Sequence, residues 1–170
     1  MTRDERQAEI IEKWKDAGCV GTCQATTGFG KTRTAIKAIK RLQKKYDVNA
    51  LVVVPTNYLE DQWKERLDSF DISNVDVSTI QSLIQKDSVG PYTLLIPDEI
   101  HKYVADEFGK LYDIVDYKIV LGLTATVPDD ERGDIIEEYA PVFDTVTVEE
   151  AKENDWVSDF LIYQYGIKLS

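Results

Sequence analysis

At 170 residues, 43% hydrophobic and 30% charged, the chain is one globular domain long enough to bury a real core. No run approaches the ~18 apolar residues of a membrane span, and the charged opening "MTRDERQAEIIEKW" lacks the apolar core of a secretory signal, so a soluble cytoplasmic protein with no membrane partner is expected. The net charge of −11 is unevenly placed: Asp129 to Phe160 hold 12 Asp and Glu against 2 Lys and Arg, whereas Lys31, Arg33, Lys37, Lys40, Arg41, Lys44 and Lys45 make a basic stretch. Each reads first as a solvated face, so charge neither supports nor excludes a polyanionic partner.

In chain order, Thr2 to Ala17 reads as a helix. Thr2 and Glu5 have capping-box spacing, Ile10, Ile11 and Trp14 share a face, and Gly18 can end it. "CVGTCQA" (19–25) is a short strand. Its cysteines, Cys19 and Cys23, would lie ~13 Å apart in extended chain, too far for a disulfide, and read as small core residues of an intracellular protein. Thr32 to Tyr46 is a helix with Ala35, Ile36, Ile39 and Leu42 inward. "NALVVVP" (49–55) is apolar from Ala50 to Val54, as in a strand buried on both faces of a parallel sheet. Tyr58 to Ser69 is a helix, "VDVSTI" (75–80) a strand, "QSLIQK" (81–86) a helix and "YTLLIP" (92–97) a strand. "DEFGKLYDIV" (106–115) is a helix and "YKIVLGLTAT" (117–126) a strand. The tail "FLIYQYGIKLS" (160–170) has strand character. This alternation predicts a single α/β domain over 1–170, with a mainly parallel central sheet and helices on both faces.

"ATTGFGKT" (25–32) follows a predicted strand and opens a predicted helix. It fits the P-loop pattern Gly-x-x-x-x-Gly-Lys-Ser/Thr with Ala25 at the first position. Small residues let successive main-chain N–H groups curl around an anion, and the helix turns its positive end to the same point. Gly28 and Gly30 remove the Cβ that would meet a phosphate. Lys31 adds a charge beside the outer phosphates, and Thr32 can ligate Mg²⁺. Thr27, Phe29 and Arg33 complete the expected cradle for ATP. The competing reading is a Gly-rich turn with a surface lysine.

"LLIPDEIH" places Asp98 and Glu99 at the carboxyl end of a strand, where ligands bind in open α/β sheets. Asp98 is the choice for Mg²⁺, and Glu99 for the general base on an attacking water. The alternative is a solvated acidic pair. His101, the only histidine, gains a catalytic reading from standing two residues after Glu99. In "TAT", Thr124 and Thr126 carry hydroxyls that could hydrogen-bond to the neighbouring acidic strand end.

The order of these motifs resembles the first RecA-like domain of superfamily 2 helicases and translocases of the DExH kind. "ATTGFGKT" looks like motif I. "VVPTNYLEDQW" looks like motif Ia, through Pro55, Thr56, Leu59, Gln62 and Trp63. "STIQSL" resembles motif Ib and "TAT" motif III; "DEIH" resembles motif II, with Ile100 where Ala or Cys is commoner. Gln7 stands 24 residues before Lys31, similar to the group's adenine-reading glutamine. The ending is similar to the branch of type III-like restriction subunits, XPB-like and phage repair helicases.

The resemblance implies a RecA-like P-loop NTPase domain using ATP and Mg²⁺, with Lys31, Asp98, Glu99 and His101 catalytic. It puts Pro55, Thr56, Thr79 and Gln81 on nucleic acid, with DNA favoured over RNA, and Thr124 and Thr126 coupling nucleotide state to movement. Pro97 departs from the usual aliphatic residue, and Asp4 stands where an Arg often precedes the glutamine. Motifs IV to VI have no counterpart after "TAT". A second RecA-like domain, from the same parent protein or a partner subunit, is therefore expected to complete the site. The 170-residue chain is then a truncated or naturally split half, poorly active alone. Two other classes compete: a P-loop nucleotide switch or small-molecule kinase, and a non-catalytic ATP-binding scaffold.

Overall fold

The computed structural model describes residues 1–157. Its elements are α1 (Arg3–Asp16), β1 (Val20–Ala25), α2 (Lys31–Lys45), β2 (Ala50–Val54), α3 (Asn57–Ser69), β3 (Val75–Thr79), α4 (Ile80–Leu83), β4 (Val89–Pro97), a 3-10 turn (Ile100–Lys102), α5 (Ala105–Ile114), β5 (Val115–Thr124), α6 (Glu131–Tyr139), β6 (Val142–Val146) and α7 (Val148–Glu153). The strands form one six-stranded sheet in the order β3-β2-β4-β5-β1-β6, and every pairing is parallel.

Burial at every position of β2 has the meaning expected of an interior parallel strand, because alternate side chains feed different cores. Ala50, Val52 and Val54 join Trp14, Ile36, Ile39 and Trp63 on the face covered by α1, α2 and α3. Leu51 and Val53 join Leu83, Phe108, Leu111 and Ile136 on the face covered by α4, α5 and α6.

At α1, Glu5 N–H donates to Thr2 Oγ1 at 3.1 Å and Thr2 N–H to Glu5 Oε1 at 3.2 Å, closing the capping box read from the sequence. The helix is anchored by Trp14, whose Nε1–H donates to Val120 O at 2.9 Å in the interior.

Several expectations shift. β4 begins at Val89 rather than Tyr92, and α4 ends at Leu83 after one turn. β5 ends at Thr124, so Ala125 and Thr126 leave the sheet instead of extending it. Cys19 lies outside β1 with φ of 61° and is only part-buried, whereas Cys23 is a core residue; both thiols are free. The acid-rich stretch, read as a solvated face, supplies α6, the edge strand β6 and α7. The strand expected at 160–170 lies outside the described residues. Among the described residues no helix is long and apolar enough to cross a membrane.

What docks the acidic stretch is Arg6. Its side chain is 5% exposed, and the guanidinium meets Asp144 of β6, itself 7% exposed, and Glu150 of α7. Nη2 donates to Asp144 Oδ1 and Nε to Glu150 Oε2, both at 2.9 Å. Burial pushes the Asp144 carboxyl up, but the hydrogen bond and charge of Arg6 outweigh it, so the group ends below its ordinary value. Replacing Arg6 by Met strands a buried carboxylate. Urea unfolding should show a loss of ~3 kcal/mol, against less than ~0.5 kcal/mol for Arg41→Met, whose pair with Glu12 is exposed.

Candidate active site

β4, β5 and β1 are consecutive in the sheet, so the loops leaving their carboxyl ends are neighbours. These loops carry "DEIH", "TAT" and "ATTGFGKT" respectively.

The loop after β1 turns back through Gly28 (φ 87°) and Gly30 (φ 100°), a left-handed backbone that only glycine adopts without cost. At Gly30 a Cβ would also lie 2.7 Å from Gln7 Nε2. Phe29, between them, is fully buried and meets Trp156 edge-on at 5.7 Å. Its ring pins the loop to the core, and its N–H donates to Thr26 O at 3.2 Å. Phe29 therefore shapes the cradle from behind rather than offering its side chain to a ligand. Lys31 begins α2, and its Nζ donates to Ala25 O at 2.9 Å, closing the loop on itself. Thr32 and Arg33 line a cavity of about 350 Å³ with Thr27, Gly28, Asp98 and Glu99.

Gln7 lines the same cavity. It is fully buried, its Nε2 donates to Phe29 O at 3.2 Å and Gly30 O at 3.4 Å, and its Oε1 accepts from Lys37 Nζ at 2.8 Å. The amide braces the loop. Asp4, where an arginine was looked for, accepts from the same Lys37 Nζ at 2.9 Å.

Asp98 succeeds the last residue of β4. Its N–H donates to Val53 O at 2.9 Å, so Pro97, one residue earlier, lacks its donor only on the β5 side, and the strand continues through it. The Asp98 carboxylate is 3% exposed. Oδ2 accepts from Trp63 Nε1–H at 2.8 Å and Oδ1 from Glu99 N–H at 2.9 Å. Burial pushes the carboxyl up to about 6, against the opposing hydrogen bond from Trp63, and with the Glu99 charge adding to the rise.

Glu99 sits at φ 56°, ψ 44°, a left-handed conformation that costs a non-glycine residue ~1–2 kcal/mol. The next few residues of the chain hold it there. Ile100 is fully buried, and Arg132 Nη1 donates to His101 O at 2.7 Å and Tyr103 O at 3.1 Å.

His101 bridges Glu99 and Thr124. Nε2 is 3.2 Å from Glu99 Oε2 and Nδ1 is 3.1 Å from Thr124 Oγ1. Thr124 Oγ1 donates to Thr126 O at 2.6 Å, so towards His101 it accepts, and Nδ1 carries a proton. A hydrogen bond from Nε2 to a Glu99 carboxylate then requires the doubly protonated ring. Burial lowers the His101 pKa, and the Glu99 charge only partly opposes that. The hydroxyl contact expected to the acidic strand end is instead made by Thr124 to His101. Thr126 contributes main chain.

Thr56 caps α3, accepting from Leu59 N–H at 3.2 Å, and Thr79 caps α4, accepting from Ser82 N–H at 3.3 Å. Gln81 Nε2 donates to Pro55 O at 3.3 Å. These four residues converge beyond the paired carboxyl ends of β2 and β3. Of them Thr56 alone lines the larger cleft, about 1010 Å³, which also takes in Tyr58, Gln62, Glu99, His101 and Thr126. The two cavities meet at Thr27 and Glu99.

The residues suit a metal carried with its phosphates. Among the described residues no cluster of three or more His, Cys, Asp or Glu could hold a metal alone. The cradle instead joins Thr32 and Asp98 in one cavity, a sparse oxygen set of the kind Mg²⁺ uses when phosphates and waters complete its shell.

Sequence reasoning missed the anchoring of Asp98 by Trp63 and the clamp of Arg132. The second left a trace, since Arg132 is one of only 2 cations in the acid-rich stretch.

The family model for the type III restriction enzyme res subunit matches residues 1–80 and 70–129. The DNA 3'-5' translocase XPB2 of Sulfurisphaera tokodaii is 30% identical over 151 residues, covering 80% of this chain and 33% of its own length. The chain thus spans about a third of that relative. Among solved structures, a nuclease-deletion mutant of the Type ISP restriction-modification enzyme LlaGI in complex with a DNA substrate mimic superposes with a TM-score of 0.68 at 20% identity, over 93% of this chain and 21% of that one. The UvsW helicase from Bacteriophage T4 gives 0.62 at 14%, over 74% and 54%. These likenesses show a RecA-like helicase fold.

Asp98 offers a pH test. Its folded pKa lies above its unfolded value, so its contribution to stability is fullest below about 4 and is lost as pH rises through about 6. Asp98→Asn titrates nowhere in this range. Urea unfolding without nucleotide or metal should show the difference between variant and parent moving ~2–3 kcal/mol in favour of the variant between pH 4 and pH 8. A flat difference would contradict the buried carboxylate.

Proposed function

The chain belongs to the type III restriction enzyme res subunit family, and we propose that it is the ATP-binding RecA-like half of a motor that hydrolyses ATP to move along nucleic acid. The observation that supports this best is the convergence of Lys31, Asp98, Glu99 and Thr124 at the carboxyl ends of three adjacent strands. DNA is the favoured track, because the curated relative is a DNA translocase and the LlaGI structure holds a DNA mimic.

In this reading the curled loop and the α2 N-terminus receive the phosphates. Lys31 exchanges Ala25 O for a phosphate oxygen. Bound Mg²⁺ would supply charge neutralisation between phosphates, held on the protein side by Thr32 and by Asp98. Glu99 takes a proton from the attacking water, and His101 links Glu99 to Thr124 and the 125–126 turn. Thr56, with Pro55, Thr79 and Gln81 behind it, meets the backbone of the track through hydroxyls and main-chain groups. Such contacts need no basic surface, which reconciles an acidic chain with a polyanion. A second RecA-like domain, in cis or in a partner subunit, would close the far side of the site and bring an arginine, a contribution of ~10³ or more in rate.

The scaffold and switch readings lack any use for a Glu99 held in left-handed backbone beside a histidine. Thermal-shift measurements separate them. With ATP·Mg²⁺ at ~100 times its Kd, the 170-residue chain should gain ~2.7 kcal/mol, a shift of several degrees, while Lys31→Ala shows little or none. Glu99→Gln should keep the shift and abolish the residual slow turnover. No shift in the parent chain would leave the scaffold reading standing.

A further inference from the structure

Asp98 and Trp63 come from elements far apart in sequence and meet in the interior. Trp63 is 2% exposed and Asp98 3% exposed. A buried indole N–H needs an acceptor, and a buried carboxylate needs donors. The 2.8 Å bond from Nε1 to Oδ2 meets both needs. With Oδ1 receiving Glu99 N–H, each carboxylate oxygen has one N–H donor, and the plane of the group is set by two rigid partners. One is the main chain beside Asp98. The other is a ring clamped in the core with Val52, Val54 and Ile96.

We propose that Trp63 is a positioning residue for Asp98: its indole N–H fixes the carboxylate in the orientation that faces the nucleotide-bound Mg²⁺. The proposal rests on the functional reading of the site and deepens it. Trp63 touches neither metal nor nucleotide; it lines neither cavity. Its helix is the one whose N-cap and first two turns, with Thr56, Tyr58, Leu59 and Gln62, face the larger cleft. A single rigid helix therefore presents one end to the track site and holds the metal carboxylate from its middle. Residues that orient metal ligands through hydrogen bonds commonly change metal affinity 10–100-fold when replaced.

The test is a Mg²⁺ titration of fluorescent ATP-analogue binding, read by anisotropy, on the 170-residue chain. In Trp63→Phe the ring remains and the donor goes. We expect half-saturating Mg²⁺ to rise at least ~10-fold, while affinity for the metal-free analogue stays within ~2-fold of the parent. A purely structural role would lower both together, or neither. Unchanged Mg²⁺ dependence, or parallel loss of metal-free binding, overturns the proposal.

A second arm leaves Trp63 in place. In the ¹⁵N-labelled parent loaded with analogue, the Trp63 indole resonance should move on adding Mg²⁺, and in Asp98→Asn it should not. An indole resonance indifferent to Mg²⁺ also overturns the proposal. Failure of the parent chain to bind the analogue at all instead sinks the nucleotide reading on which this one stands, so the two failures are distinguishable.

Discussion

Parallel pairing of β4, β5 and β1 is the constraint on which everything else here depends. In a parallel sheet the chain must return to the same edge after every strand, so all carboxyl ends open on one side. Three adjacent strands then deliver three separate loops to one place. Acid pair, phosphate loop and hydroxyl turn are distant in sequence and adjacent in space for no other reason. The same rule sends β2 and β3 to a neighbouring position, where Thr56 and Thr79 cap a long and a short helix side by side.

That edge is crowded with groups that burial penalises. Asp98 is buried as a carboxylate, Glu99 holds an unfavourable backbone conformation, and part-buried His101 lies 3.2 Å from the Glu99 carboxylate. Each is stabilised by an element outside its own loop. Trp63 reaches from α3, Arg132 from α6, and Thr124 from β5. Local strain at one strand end is thus distributed over packed helices, which keeps the groups in place before any ligand arrives.

Much of this was legible in the sequence, for identifiable reasons. The apolar run Ala50 to Val54 required a strand covered on both faces. Thr2 with Glu5 required a helix start. Gly28 and Gly30, ahead of Lys31 and Thr32, required a loop that turns through left-handed backbone. What was not legible depends on long-range pairing. Gln7 also braces the loop, its amide held by carbonyls of Phe29 and Gly30, a contact that no spacing reveals. Thr126 has the hydroxyl, but β5 ends at Thr124, so the side chain that meets His101 is the earlier one. The stretch after Asp129 hid an edge strand, Val142–Val146, that is mostly part-buried and so shows no clean apolar alternation. Its burial comes from counter-ions on α1, and only the fold brings those together.

Pairing of this kind changes what the net charge means. The 12 acidic residues between Asp129 and Phe160 suggest a surface that repels a polyanion. Two of them, Asp144 and Glu150, are instead bound to Arg6, and Asp130 holds Arg132, which in turn holds the main chain at His101 and Tyr103. Counted by what they touch, these carboxylates are internal fastenings of the α1, β6 and α7 edge and of the loop after Glu99. The charged lining of the larger cleft comprises Glu99 and Lys102, with His101 beside them. The formal charge of a chain therefore says little about which surface meets its partner. Where each charge is paired says more.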